Sequence, residues 1–295
     1  MVASAVALPA PRQVHQERQV VRTIRRLLRH RGALIGSIMV LVVVSAAIFG
    51  PLVAPYDPAD IGVGPSLGAP TLAHPMGTDT FGRDIFSRVL NGAQLSLTVG
   101  LVAVLIEASF GVLIGLVAGY YGGWIDGLMM RVIDVLLAFP GILLALAIVS
   151  VLGISLTNLM IAVGIGGIPS FARLIRGSTL TVKENLYVTV AKSIGAGDAG
   201  VIFRHILPNV VSPIIVYATL RIAFAIIATS SLSFLGLGAK PPSPEWGVML
   251  SDGREFLRVA PWVTTFPGLA IMISVMGINL LGDGLRDVLD PRLRV

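Results

Sequence analysis

Glu107, Asp134 and Arg221 are ionisable residues inside long apolar runs of this 295-residue chain. A charge at the centre of a bilayer costs a few kcal/mol or more, so each must pair, reach an interface or face water. Arg131 lies one turn before Asp134 near the end of its run, and a local pair accounts for both. Glu107 and Arg221 lie about eleven residues into their runs, where mutual pairing and lining a wet pathway are both open. One turn beyond Glu107, Gly111, Gly115 and Gly119 repeat at four-residue spacing. Such a ridge lets a second helix approach closely, whether from this chain or from another subunit.

Catalytic and cofactor motifs are tested and set aside. Gly195, Gly197 and Gly200 spell the dinucleotide pattern GxGxxG, but they lie between two short helical segments with no preceding strand and no acidic residue about 20 positions on. No GxxxxGK[ST] phosphate loop and no HExxH zinc motif occur, and the four histidines are scattered. His74, Asp79 and Asp84 could gather a hard cation, yet Gly-Thr-Asp and Gly-Arg-Asp are better explained as turn and helix-cap chemistry, with Asp84 opening a helix. There is no cysteine, and no nucleophile and base stand at motif spacing, which argues against a membrane-embedded hydrolase. The expectation is a chain without catalytic residues, metal site or bound cofactor of its own.

The elements that hold these residues are membrane helices. Hydrophobic residues make up 55% of the chain and charged residues 13%, with mean hydropathy +0.86; soluble chains carry roughly 25% charge. The apolar runs are continuous over helical lengths, unlike the alternating segments of a barrel. Six reach the length a bilayer requires: residues 33–54, 95–119, 132–152, 158–175, 210–235 and 263–281. The fold class is therefore all-α, a polytopic transmembrane bundle of six spans surrounded by lipid. The net charge of +6 does not signal nucleic acid, because its placement is topological. Sixteen of the 22 Lys and Arg fall on one side if the amino terminus is cytoplasmic, which puts both termini inside. Seven of the 22 precede residue 32, where residues 17–31 alternate apolar and Arg-rich faces. This segment suits either an interfacial amphipathic helix or a plain topogenic tail, and no cleavable signal sequence is expected.

The chain divides into a basic segment 1–32, a first span with outer loop 33–94, a core 95–285 and a tail 286–295. Within the core, the inner loop 173–209 is patterned as helix. Thr181 and Glu184 form a capping box, Leu186, Val190, Ala191 and Ile194 make an apolar stripe, and Gly195 stops it. Asp198 is expected to cap a second short helix that Pro208 closes. The stripe must bury against something, either its own bundle or a partner.

Several long motifs in order resemble one family. They are the run His74–Asp84 continuing through Ser87, Arg88 and Gly92 to Gly100; the run Ser231–Gly238 with Pro241, Pro242 and Glu245-Trp246-Gly247; and the run Asn279–Arg292. Together they resemble the second permease subunit of bacterial ABC importers of the dipeptide, oligopeptide and nickel class. The resemblance implies a type I importer permease in the cytoplasmic (inner) membrane, moving peptides by alternating access. It also implies a homologous second permease, two ATPase subunits carrying ATP and Mg, and an extracytoplasmic binding protein. The inner loop then resembles the ATPase-coupling motif, carried here on Leu186, Thr189, Val190, Ala191, Gly195, Leu207 and Pro208. For Glu107 and Arg221 the resemblance leaves both options open, a pathway charge or an intramembrane pair. Thr189 and Val190 replace the family's Glu and Ala, and Thr229 replaces a Glu before the Ser231 run. The alternatives are an ion-coupled secondary transporter and, for cargo, a nickel or other chelate.

Overall fold

The computed structural model describes residues 30–289, so the expected basic amphipathic segment lies almost wholly outside the described residues. Among these, every regular element is helical. The order is α1 (Arg31–Val53), α2 (Ile85–Tyr121), α3 (Gly123–Leu137), α4 (Gly141–Leu152), α5 (Leu156–Lys183), α6 (Leu186–Ser193), α7 (Asp198–Val201), α8 (Leu207–Phe234), α9 (Trp246–Gly253) and α10 (Trp262–Leu289). Among the described residues, five stretches are long and apolar enough to cross a membrane, with α7 and α8 counted as one continuous rod.

The run expected as a third span, 132–152, is not one helix. It breaks between α3 and α4, which meet at 88°. Pro140, which caps α4, cannot donate a backbone bond and disfavours helix in the residue before it. The apolar pattern continues through Phe139-Pro140-Gly141, so hydropathy alone hides the break. Six spans result if the bent pair crosses as one unit.

The glycine ridge of α2 finds its neighbour inside the chain. A Cβ added at Gly115 would lie 2.7 Å from the Ala172 carbonyl oxygen, and one at Gly119 would lie 2.7 Å from Thr179 Cβ, while Gly111 fits against Phe171. The partner helix is α5, whose Phe171, Ala172 and Ile175 are fully buried. A second close approach, unread in the sequence, joins α1 to α10: a Cβ at Gly36 would lie 2.6 Å from the Leu281 amide, and one at Gly277 would lie 2.8 Å from Met39 Cβ. The principal core gathers α2, α4, α5 and α8 around Leu116, Val149, Leu159, Phe171 and Leu232, and α6 and α7 join it through Val188 and Val201.

Candidate functional site

At one end of the bundle, the loop 54–84 folds back on itself and is stapled to the rest of the chain. Leu67 donates to the Asp79 carbonyl and Thr78 to the Gly68 carbonyl, each at 2.9 Å. Asp84 accepts from the Ser87 amide (2.8 Å) and hydroxyl (2.7 Å) and so opens α2 as a helix cap, while its other oxygen meets His74 Nδ1 at 3.0 Å. Asp79 accepts from the Phe81 and Arg83 amides and from Arg83 Nε at 2.6 Å. These carboxylates serve caps and turns, as the spacing suggested.

The staple is Arg88, which sequence reasoning noted only as part of a motif. Its buried guanidinium donates to the carbonyls of Pro58 (2.8 Å), Pro242 (3.2 Å) and Ser243 (3.4 Å), joining the first loop to the loop after α8. Partners about 150 residues away leave no local signal. Nearby, Glu245 caps α9 through the Gly247 and Val248 amides, both at 3.0 Å. Burial pushes its carboxyl above the usual range, and those two amides oppose the shift. Arg88→Lys cannot hold three carbonyls with one compact ammonium. It is expected to loosen the loop by about 2–3 kcal/mol, read as faster limited proteolysis within residues 56–76.

Midway along the helices, Glu107 and Arg221 face each other. Arg221 Nε and one terminal nitrogen each donate to a Glu107 oxygen at 2.7 Å, a bidentate pair. Glu107 is fully buried, and its carboxyl occupies the space where a Cβ on Gly167 of α5 would stand. Gly167, within the run 158–175, is the seat of this carboxylate. Thr229 is buried one helical stretch further on, with its hydroxyl donating to the Ala225 carbonyl (2.8 Å) and the Ile226 carbonyl (3.1 Å).

Asp134 does not pair with Arg131. It accepts from Arg173 of α5 at 2.6 Å, and both side chains are exposed, so the pair adds little stability. Asp126, also on α3, binds Arg176 through both oxygens at 2.5 and 2.6 Å.

At the opposite end, the segment 184–206 differs from its expected local structure in two respects. α5 continues to Lys183, so Glu184 ends a helix instead of completing a capping box, and Thr181 donates back to the Gly177 carbonyl. Asn185 precedes α6 in its place. Asp198 is the first residue of α7, not its cap, and its carboxylate accepts from the Tyr120 hydroxyl at 2.5 Å. Pro208 closes nothing: a wide π-type turn over Ile202–Ile206 carries the chain directly into α8, with Pro208 in the first helical turn, where a missing amide is tolerated.

The apolar stripe divides between two faces. Ala191 and Val188 are buried in the bundle. Leu186 is 78% exposed and Ile194 81% exposed, and Val190 and Tyr187 join them on the open face; Thr189 is exposed too. Gly195 ends α6 at φ +89°, a backbone that side-chain-bearing residues rarely adopt. Leu207 is half-buried and Pro208 exposed. Tyr120, at the end of α2, ties this segment to the bundle: Lys183 Nζ donates to its carbonyl at 2.6 Å and Lys192 Nζ lies 4.4 Å from its ring centre.

Residues 111–295 match the family described as the binding-protein-dependent transport system inner membrane component, and residues 19–70 match the N-terminal transmembrane domain of oligopeptide transport permease C. The chain belongs to this permease family. It is 49% identical over 271 residues to the glutathione transport system permease protein GsiD of Pectobacterium atrosepticum, covering 92% of this chain and 90% of that protein. It is 52% identical over 271 residues to the GsiD protein of Escherichia coli O157:H7, covering 92% and 89%. The chain is thus a multi-pass permease subunit of an ABC importer in the inner membrane, of the peptide and oligopeptide class. Membership implies ATPase and binding-protein partners and leaves the ion-coupled carrier unsupported.

Proposed function

We propose that this chain is one of two homologous permease subunits in an importer of short peptides, glutathione-like tripeptides among them, driven by two ATPases. The relatives' names supply the cargo class. The observation that carries the mechanism is the open apolar face of α6, Leu186, Val190 and Ile194, on a short helix whose other face is anchored in the bundle. A solvent-facing stripe of this kind is unfavourable unless covered, and a groove on an ATPase covers it. Thr189, Gly195, Leu207 and Pro208 shape the same docking segment. That end of the bundle is then cytoplasmic with both termini, in keeping with the positive-inside count, and the Arg88-stapled loops receive the binding protein outside.

ATP and Mg belong to the ATPases, and this chain supplies no catalytic residue. Closure of the ATPases moves α6, and the Tyr120–Asp198 hydrogen bond passes the motion to α2. The Glu107–Arg221 pair joins α2 to α8 beside the pathway. In vesicles holding the whole importer, uptake of a labelled tripeptide is expected to require ATP and binding protein and to survive an uncoupler. Uptake that collapses with the proton gradient would sink this reading, and a nickel chelate outcompeting the tripeptide would replace the cargo.

A further inference from the structure

Where the loop after α8 turns into α9, a carboxyl is buried without a cation beside it. Glu245 is 2% exposed, and its two oxygens accept from the Gly247 and Val248 amides. Hydroxyls flank it: Ser96 of α2, whose oxygen accepts from the Trp246 amide at 3.3 Å, and Ser233 of α8. Ser233 and its neighbour Ser230 are buried, and neither hydroxyl has a partner among the described residues.

The charges of this end are engaged elsewhere. Arg88 of α2 holds its three carbonyls with Nε 3.8 Å from Asp79, Arg83 pairs with Asp79, and His74 meets Asp84. Asp252 of α9 joins Asp79, Arg83 and Arg88 around one small cleft. Lys240, Arg254, Glu255 and Arg258 are exposed, and α8 after Arg221 and α10 before Asp283 carry no charge.

Two glycines bring the backbones together here. A Cβ on Gly247 would lie 2.6 Å from the Ser230 carbonyl oxygen and 2.8 Å from Ser233 Cβ, and one on Gly238 would fall on Ser233 Oγ. A hydrated cation has no room between backbones this close. The carbonyl end of α8, the negative end of its dipole, is thereby pressed against the start of α9. Burial and that negative end both favour a neutral acid over a carboxylate. A neutral acid also gains a donor, and the Ser233 oxygen beside it lacks a partner.

We propose that Glu245 is a proton-binding site, and that its proton, donated to Ser233, clasps α9 to the end of α8. On release the proton passes to water, and the carboxylate keeps its two amide bonds. The folded clasp binds the proton more tightly than an open one, because burial raises the carboxyl above its ordinary 4.5. The proton's contribution is therefore complete below 4.5 and is lost as pH rises through the raised value. On the topology above this end meets the external medium, so the clasp tightens as the surroundings acidify.

Infrared difference spectra of the purified importer, recorded as the pH is lowered, are expected to show a carboxylic-acid carbonyl band with a midpoint above 4.5 that is missing from Glu245→Gln. Ser233→Ala, which removes only a hydroxyl, is expected to shift the frequency of that band. Hydrogen exchange of the 246–253 amides, corrected for intrinsic rates, should quicken about tenfold per pH unit between 4.5 and the midpoint and lose this dependence in Glu245→Gln. A band that does not depend on Glu245, or a midpoint at or below 4.5, would overturn the proposal. So would a midpoint that moves with sodium or potassium at constant ionic strength, which would make the ligand a metal cation. If Glu245→Gln does not assemble, Ser233→Ala decides alone, and an unmoved band overturns the clasp.

Discussion

Arg221→Ala is expected to cost on the order of 3–5 kcal/mol, because it leaves the Glu107 carboxylate fully buried with no partner. Little permease should then reach the membrane in folded form. Glu107→Ala acts the same way from the other side, since Arg221 is mostly buried between α2 and α8. The informative variant is the double one. Replacing both charges by apolar residues of similar volume, Glu107→Leu with Arg221→Met, removes the desolvation cost together with the attraction, and such exchanges are often neutral in stability. We expect the double variant to recover expression and detergent stability while uptake stays low, which would place the pair in the transport pathway. Full recovery of uptake would make the pair a packing device only. Stability is read by thermal unfolding of the purified importer and transport by tripeptide uptake in vesicles.

Leu186→Glu combined with Ile194→Glu is expected to detach the ATPases. Both side chains are exposed in this chain, so the substitutions leave its own packing intact. If an ATPase groove buries them, each loses about 1.5–3 kcal/mol of apolar burial, enough together to lower ATPase co-purification at least tenfold. Uptake should fall in parallel while the permease still inserts. Val188→Glu is the contrast: Val188 is buried, so that variant should fail to fold. Gly195→Pro tests the geometry instead of the contact, because proline holds φ near −65° and this turn requires +89°. Normal ATPase binding and uptake in both the Leu186→Glu/Ile194→Glu variant and the Gly195→Pro variant would remove the docking claim.

The existence of the long helices was legible because bilayer thickness demands about 20 apolar residues, and the residues at 33, 95, 210 and 263 open runs of that length. The Gly111–Gly119 ridge was legible as a ridge, though not its owner, since small residues signal close approach without naming the partner. Three features escaped for physical reasons. The Pro140 break sits within unbroken apolarity, so a hydropathy window passes over it. Thr181 and Glu184 carry the right side chains for a helix start, but Lys183 anchored on the Tyr120 carbonyl holds the last turn of α5 in place. Gly167 serves a carboxylate 60 positions earlier in the chain, and Arg88 serves carbonyls far downstream; neither contact leaves a trace in local spacing. Pairing of Glu107 with Arg221 was one of two options open from the sequence, and their geometry supplies the choice of partner without deciding what the pair is for.

Along the Gly111–Gly119 ridge, the backbones of α2 and α5 meet with almost no side chains between them. Helices separated by a layer of leucines can slide as those side chains change rotamer; two backbones in direct contact have no such lubricant. α2 and α5 must then travel as a single beam, carrying the Glu107 seat, Tyr120 and Lys183 with them. Any opening of this permease is therefore expected to hinge elsewhere, at the α8 boundary or at the Pro140 elbow.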